Sequence, residues 1–145
     1  MGVTIKCQKT KRSIDMGYFS FADLRKQIAY CESKELGDLF SEAMDMSAKS
    51  LMITSISGYW DEYERRLDQL IKSGGISVKV VDFIYQSDCE GKINRRQCKK
   101  ILERIKDLPD EQKIGYIGHE DCATMGDFKD ILRDCVNKKC EMEWW

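Results

Sequence analysis

Two short stretches near the amino terminus alternate apolar and polar residues with a period of two. In the first, Val3, Ile5 and Cys7 point one way and Thr4 and Lys6 the other; in the second, Ile14, Met16 and Tyr18 share a face. The polar run Lys9-Thr10-Lys11-Arg12 separates them. A strand turns successive side chains to opposite sides, so two such stretches around a short polar link read as a β-hairpin. The carboxy-terminal Cys140-Glu141-Met142-Glu143-Trp144 alternates as well. It can pair with the hairpin edge, an arrangement that would also occupy the terminal Trp145.

Between these ends the periodicity is helical. Ser20 stands as an N-cap with Asp23 three residues on, ahead of Phe21, Leu24, Ile28 and Cys31. Leu36, Leu39, Phe40 and Ala43 predict a helix over about 34–46, and Tyr59, Tyr63, Leu67, Leu70 and Ile71 another over about 58–72. Ser73-Gly74-Gly75 stops the latter. Residues 47–57, with Leu51-Met52-Ile53, suit either a helix extension or a buried link. Ser77 caps a segment from Val78 to about Tyr85, read as helix from the stripe of Val81, Ile84 and Tyr85 despite its β-branched content. Asn94 with Gln97 forms a capping box before Cys98, Ile101, Leu102 and Ile105, and Pro109 ends that helix. Residues 110–123 are mixed, and Thr124 caps a last helix with Phe128, Ile131, Leu132 and Cys135. The expected fold is α+β, mostly α: an N-terminal β-hairpin, joined by a C-terminal strand, packed on five to six helices. No linker or repeat divides residues 1–145, which read as a single domain.

With 42% hydrophobic residues the chain can build a core, and a domain of 145 residues buries roughly 70% of its unfolded surface, so neither metal nor disulfides are required to fold it. One proline among 145 residues excludes Pro-rich and collagen-like classes. The amino terminus lacks the apolar core of a secretory signal, and no apolar run approaches the ~20 residues that span a bilayer. No membrane association is therefore expected. Seven cysteines, an odd number without a C-x-x-C pair, point to reduced thiols in a cytoplasm and give no support to zinc ribbons. Most of them read as small core residues.

The stretch from Gln86 to Gln97, set between two helices, has the pattern of an EF-hand loop aligned on Gly91. Asp88 and Glu90 fall at loop positions 3 and 5, Gly91 at the sharp turn where positive φ is wanted, Ile93 at the apolar position and Asn94 at position 9. Gln86 and Gln97 stand where calcium needs an aspartate and a bidentate glutamate, and Arg95 and Arg96 crowd the last ligand. The reading is an EF-hand-like helix-loop-helix without calcium, with no metal and no cofactor assigned. Asp88, Glu90 and Asn94 are the alternative should an ion bind.

Phe83-Ile84-Tyr85-Gln86-Ser87-Asp88-Cys89-Glu90-Gly91-Lys92-Ile93 also resembles the Ser-Asp-Cys-acidic-Gly motif of a group of small uncharacterised bacterial and phage proteins. Ser13-Ile14-Asp15-Met16-Gly17-Tyr18, leading into a helix, is similar to that group too. The resemblance implies bacterial or prophage origin and supplies no activity.

Charge is unevenly spread although the net value is -1. Residues 92–106 hold Lys92, Arg95, Arg96, Lys99, Lys100, Arg104 and Lys106 against Glu103 alone. Arg95, Arg96, Lys99 and Lys100 lie off the apolar stripe of their helix and are the candidate surface for an anion or an acidic partner. The competing reading is a solvated face. Tyr59 and Trp60 are a candidate aromatic hot spot, because Tyr59, Trp60 and Tyr63 cannot all enter one buried stripe. His119, the single histidine, and Cys122 could serve as base and nucleophile or as metal ligands, but nothing in the sequence identifies a third partner. No G-x-S-x-G, Walker A or dinucleotide fingerprint occurs. The expected function is that of a small cytoplasmic non-enzymatic protein that binds a macromolecule, most readily a protein and, given the phage resemblance, a host factor. The alternatives are a module for a phosphorylated ligand, nucleic acid or metal and, behind it, a Cys/His enzyme.

Overall fold

A computed structural model describes residues 2–50 and 58–145. Strands β1 (Gly2–Cys7) and β2 (Ser13–Gly17) form the antiparallel hairpin, with Val3 opposite Met16 and Ile5 opposite Ile14. The helices are α1 (Tyr18–Glu32), α2 (Lys34–Ser50), α3 (Tyr59–Lys72), α4 (Val78–Tyr85), α5 (Arg95–Ile105) and α6 (Met125–Lys138), six among the described residues. Strand β3 (Gly91–Ile93) lies between α4 and α5, and β4 (Met142–Trp144) follows α6. The sheet is antiparallel in the order β2-β1-β4-β3. The architecture is thus α+β, with an N-terminal hairpin joined by a C-terminal strand.

The alternation in the sequence decides which face of the sheet is buried. Val3, Ile5, Cys7, Ile14, Met16, Ile93, Met142 and Trp144 point inward, while Lys92 is exposed and Thr4, Lys6 and Glu143 are half-buried on the other side. Phe21 of α1 and Phe83 of α4 meet Trp144 on the inner face, with ring centroids 5.8 Å and 5.5 Å from its own, and Phe128 of α6 stacks on Phe83 at 6.4 Å. Each such side chain contributes roughly 1.5–3 kcal/mol by leaving water.

The start of α1 departs from the expectation. The helix begins at Tyr18, with Gly17 at the cap and no side-chain cap bond, so Ser20 lies inside the first turn. Gly17 is still paired with Gly2, which holds its backbone extended (ψ 162°) and lets the strand run straight into the helix. Tyr18 is therefore not a strand residue. Helix α2 runs to Ser50, beyond the expected 46, and in α3 only Tyr63 of the anticipated stripe is buried. The question of Leu51-Met52-Ile53 lies outside the described residues. The capping boxes at Asn94/Gln97 and Thr124/Asp127 are formed, each by reciprocal side-chain and backbone bonds. A charge placed in the core was not foreseen: Lys129 is 2% exposed, and its ammonium donates to the carbonyls of Lys106 and Leu108 and to Asp110, closing the carboxy-terminal end of α5.

Candidate functional site

The loop that looks like a calcium site is held together by amides and a guanidinium. The Gln86 side chain donates to Asp82 Oδ2 (2.8 Å) and to the Lys92 carbonyl, and accepts from the Lys92 N–H. Gln97 donates to the same Asp82 oxygen at 2.6 Å. The residues at loop positions 1 and 12 are thus bridged by a carboxylate. Asn94 Oδ1 accepts from the Gln97 N–H as the helix cap, and Asp88 and Glu90 are exposed. Among the described residues, the only group of three or more His, Cys, Asp or Glu side chains with ligand atoms mutually close is Cys7, Cys135 and Cys140.

Arg25, a charged residue of α1, is 5% exposed. It donates to the carbonyls of Gln86 (2.6 Å), Ser87 (3.1 Å) and Ile84 (3.4 Å), with its guanidinium 4.2 Å above the Phe21 ring. Burial lowers its pKa to about 10, against an opposing pull from Asp88. Gly91 also departs from expectation. Its backbone is not among the described glycines with positive φ, which are Gly58, Gly74 and Gly118. It is extended within β3, and the small residue is needed for another reason: a Cβ there would strike the Trp144 indole and come within 2.7 Å of Gln86 Oε1.

The basic run on α5 divides by role. Arg95 donates to the Val136 carbonyl in the last turn of α6 (2.8 Å), where the negative end of the helix dipole favours a cation. Arg104 pairs with the buried carboxylate of Glu32 at 2.6 Å. Arg96, Lys99 and Lys100 turn towards a groove of about 240 Å³ between α4 and α5, and Lys79 from α4 joins them there. Glu103 is the acid in that groove, 3.9 Å from Lys100. Lys79 could not be assigned to this cluster from sequence, since it lies outside the basic run.

Tyr59 and Trp60 part company. The Tyr59 hydroxyl donates to Glu42 of α2 at 2.9 Å, and Arg66 binds the same carboxylate through two nitrogens. Burial and the Glu42 carboxylate push the Tyr59 phenol up to about 12. Tyr63 donates to the Leu39 carbonyl and lies 2.5 Å from the Tyr85 hydroxyl. Trp60 is 42% exposed, with its ring packed edgewise on Tyr59 and Tyr63.

His119 and Cys122 line one groove of about 420 Å³ with Arg12, Asp15, Tyr116 and Asp121. The loop turns so that the Cys122 N–H meets the His119 carbonyl. The Cys122 thiol donates to the Ala123 carbonyl rather than to the imidazole, whose ring centroid is 5.9 Å from that of Tyr116.

The cysteines hold what motif reading missed. Cys7 ends β1, Cys135 lies in the last turns of α6 and Cys140 precedes β4, yet their sulfurs converge. Burial acts to raise the Cys7 thiol, but hydrogen bonds from the Lys9 backbone N–H and from the Cys140, Thr10 and Cys135 side chains outweigh it and place it below the usual thiol range. Cys135 is raised by its bond to Cys98 and by burial, and Cys140 by burial. The period-two and helical stripes put each of these residues inward; nothing in linear spacing says that they meet.

Comparison with protein-family models, with curated proteins and with solved structures finds no match to this chain.

Proposed function

We propose that the protein is a non-enzymatic, cytoplasmic binding protein that engages an acidic protein surface through the groove between α4 and α5. The observation that carries this reading is the convergence of Lys79 on Arg96, Lys99 and Lys100 from a different helix. Four cations around one groove repel one another, and Glu103 offsets them only in part, so an anionic surface is the natural complement. A role without catalysis is supported at the other groove, where the Cys122 thiol is turned to a backbone carbonyl and not to His119. The cytoplasm accords with seven free thiols. Resemblance to small bacterial and phage proteins favours a host factor as the partner, with inhibition as the outcome.

The test uses labelled poly-L-glutamate as the acidic probe, a DNA duplex of similar charge and inorganic pyrophosphate in parallel. Polyglutamate should bind at low salt and be released as salt shortens the Debye length from ~10 Å at 0.1 M to ~3 Å at 1 M. Arg96→Glu with Lys100→Glu, and separately Lys79→Glu, should weaken binding several-fold with an unchanged circular dichroism spectrum. Arg95→Gln should leave it unchanged. Binding that survives both reversals, or no binding at all, would overturn the reading. Preference for the duplex or for pyrophosphate would replace the protein partner with nucleic acid or a phosphorylated ligand.

A further inference from the structure

We propose that Cys7, Cys135 and Cys140, with Cys98 beside them, form a buried structural site for one zinc ion. The three sulfurs lie within 4.8 Å of one another, and those of Cys7 and Cys140 are 3.3 Å apart. Around zinc with Zn–S bonds of ~2.3 Å, tetrahedral geometry sets the sulfurs ~3.8 Å apart. The Cys7–Cys140 separation is slightly below that value and the other two are no more than 4.8 Å, so small side-chain rotations would admit the ion. Cys98, in the first turn of α5, is fully buried and acts on the Cys135 thiol, but its sulfur is outside the group of three, so its side chain would have to turn to become the fourth thiolate.

The backbone presents these residues from four places. Lys139 adopts a left-handed conformation (φ 55°) at the end of α6, and the Cys140 N–H bonds to the Cys135 carbonyl at 3.1 Å. That turn folds Cys140 back beside Cys135. β1 delivers Cys7 because its neighbour β4 starts two residues after Cys140, with Cys7 paired to Met142.

The donor set determines the class of ion. Soft thiolates select zinc, copper(I) or iron–sulfur clusters over calcium, magnesium or manganese. A buried set made only of thiols matches a structural site rather than a catalytic one. Cys7, Cys98 and Cys135 are inaccessible and Cys140 is 8% exposed, so the ion would enter past Cys140.

The test is made on the full chain, reduced and stripped of metal, with zinc alone and with cobalt(II) as a coloured substitute. Zinc should bind at one equivalent with sub-micromolar affinity and raise the melting temperature with the logarithm of its free concentration. Cobalt should give an intense thiolate charge-transfer band. Cys140→Ser, at the accessible edge, should weaken binding at least a hundredfold, and Cys98→Ser should weaken it about tenfold and lower the cobalt band intensity. Cys31→Ser and Cys89→Ser should change neither. Should the cluster variants fail to fold, the stoichiometry and cobalt spectrum of the unaltered chain still decide the matter. Absence of saturable zinc binding there, a cobalt spectrum without thiolate charge transfer, or a site that survives Cys140→Ser and vanishes with Cys89→Ser would overturn the proposal.

Discussion

The indole N–H of Trp144 donates to the Ser87 carbonyl at 2.9 Å, across 57 residues of sequence. This bond fastens the last strand to the loop that resembles a calcium site, and it explains why that loop contains a strand. β3 pairs with β4 where a second EF-hand loop would otherwise supply the partner. The Trp144 ring fills the space over Gly91.

Gly91→Ala should accordingly destabilise the protein. The added methyl group would meet the buried indole and the Gln86 amide, and overpacking of this kind costs about 1–3 kcal/mol. At roughly 2–4 °C per kcal/mol the melting temperature should fall by several degrees. Gly75→Ala, where a Cβ would have the Ser73 hydroxyl 3.7 Å away in ordinary contact, is the control and should change little. Calorimetry on the two variants separates steric crowding at Gly91 from a general intolerance of loop changes.

Restoring the acidic positions of the loop should not create a calcium site. Gln86→Asp with Gln97→Glu would remove two donors from Asp82 and set two further carboxylates near it. A hydrogen bond to a charged group contributes about 1.5–3 kcal/mol, less where solvent reaches it, so a loss of stability of about 1–3 kcal/mol is expected. Titration calorimetry with calcium should show no saturable heat for either the parent or the double variant. A one-site isotherm in the parent that Asp88→Ala abolishes would contradict this.

Arg25 should not be replaceable by lysine. Its planar fork spans the carbonyls of Gln86 and Ser87 while its face lies on Phe21, a geometry that a single ammonium cannot reproduce. Arg25→Lys should lower stability by about 1–3 kcal/mol in urea unfolding, since the part-buried Gln86 and Ser87 carbonyls would each lose a charged donor. The fluorescence of Trp144 should change as well, because its ring lies 5.5 Å from the guanidinium carbon. Equal stability of the lysine variant would show that the loop carbonyls are satisfied without the fork.

Alkaline pH should unfold the protein earlier than its arginines and lysines alone would require. Tyr59 is pushed up to about 12, and Tyr63 and Tyr85 are raised, first of all by burial in each case. A phenol whose folded pKa exceeds its unfolded value of ~10 supplies stability that is complete below pH ~10 and is lost as pH rises through the folded value. Urea midpoints should therefore fall from about pH 10 to about pH 12, and Tyr59→Phe should make that fall shallower. An identical pH profile for parent and variant would remove Tyr59 from the account.

Much of the fold is legible in the chain because its cause is local. Alternation at Val3–Cys7, Ile14–Met16 and Met142–Trp144 follows from a strand's two faces, and the caps at Asn94 and Thr124 follow from the unpaired N–H groups of a helix start. Arg96, Lys99 and Lys100 are legible for the same reason: they fall off the apolar stripe of a single helix. Contacts between distant segments are another matter. Lys79 meets the basic helix only because α4 packs on α5, and Arg25 is buried only because the 86–88 backbone comes down upon it. Gly91 is extended, and not left-handed as an isolated EF-like loop would have it, because β4 arrives from the far end of the chain to pair with it. Cys7 and Cys140 stand 133 residues apart and touch because the sheet order places β4 beside β1. Periodicity records which side of an element is apolar; which element then covers that side depends on packing among all of them, and no spacing along one segment carries it.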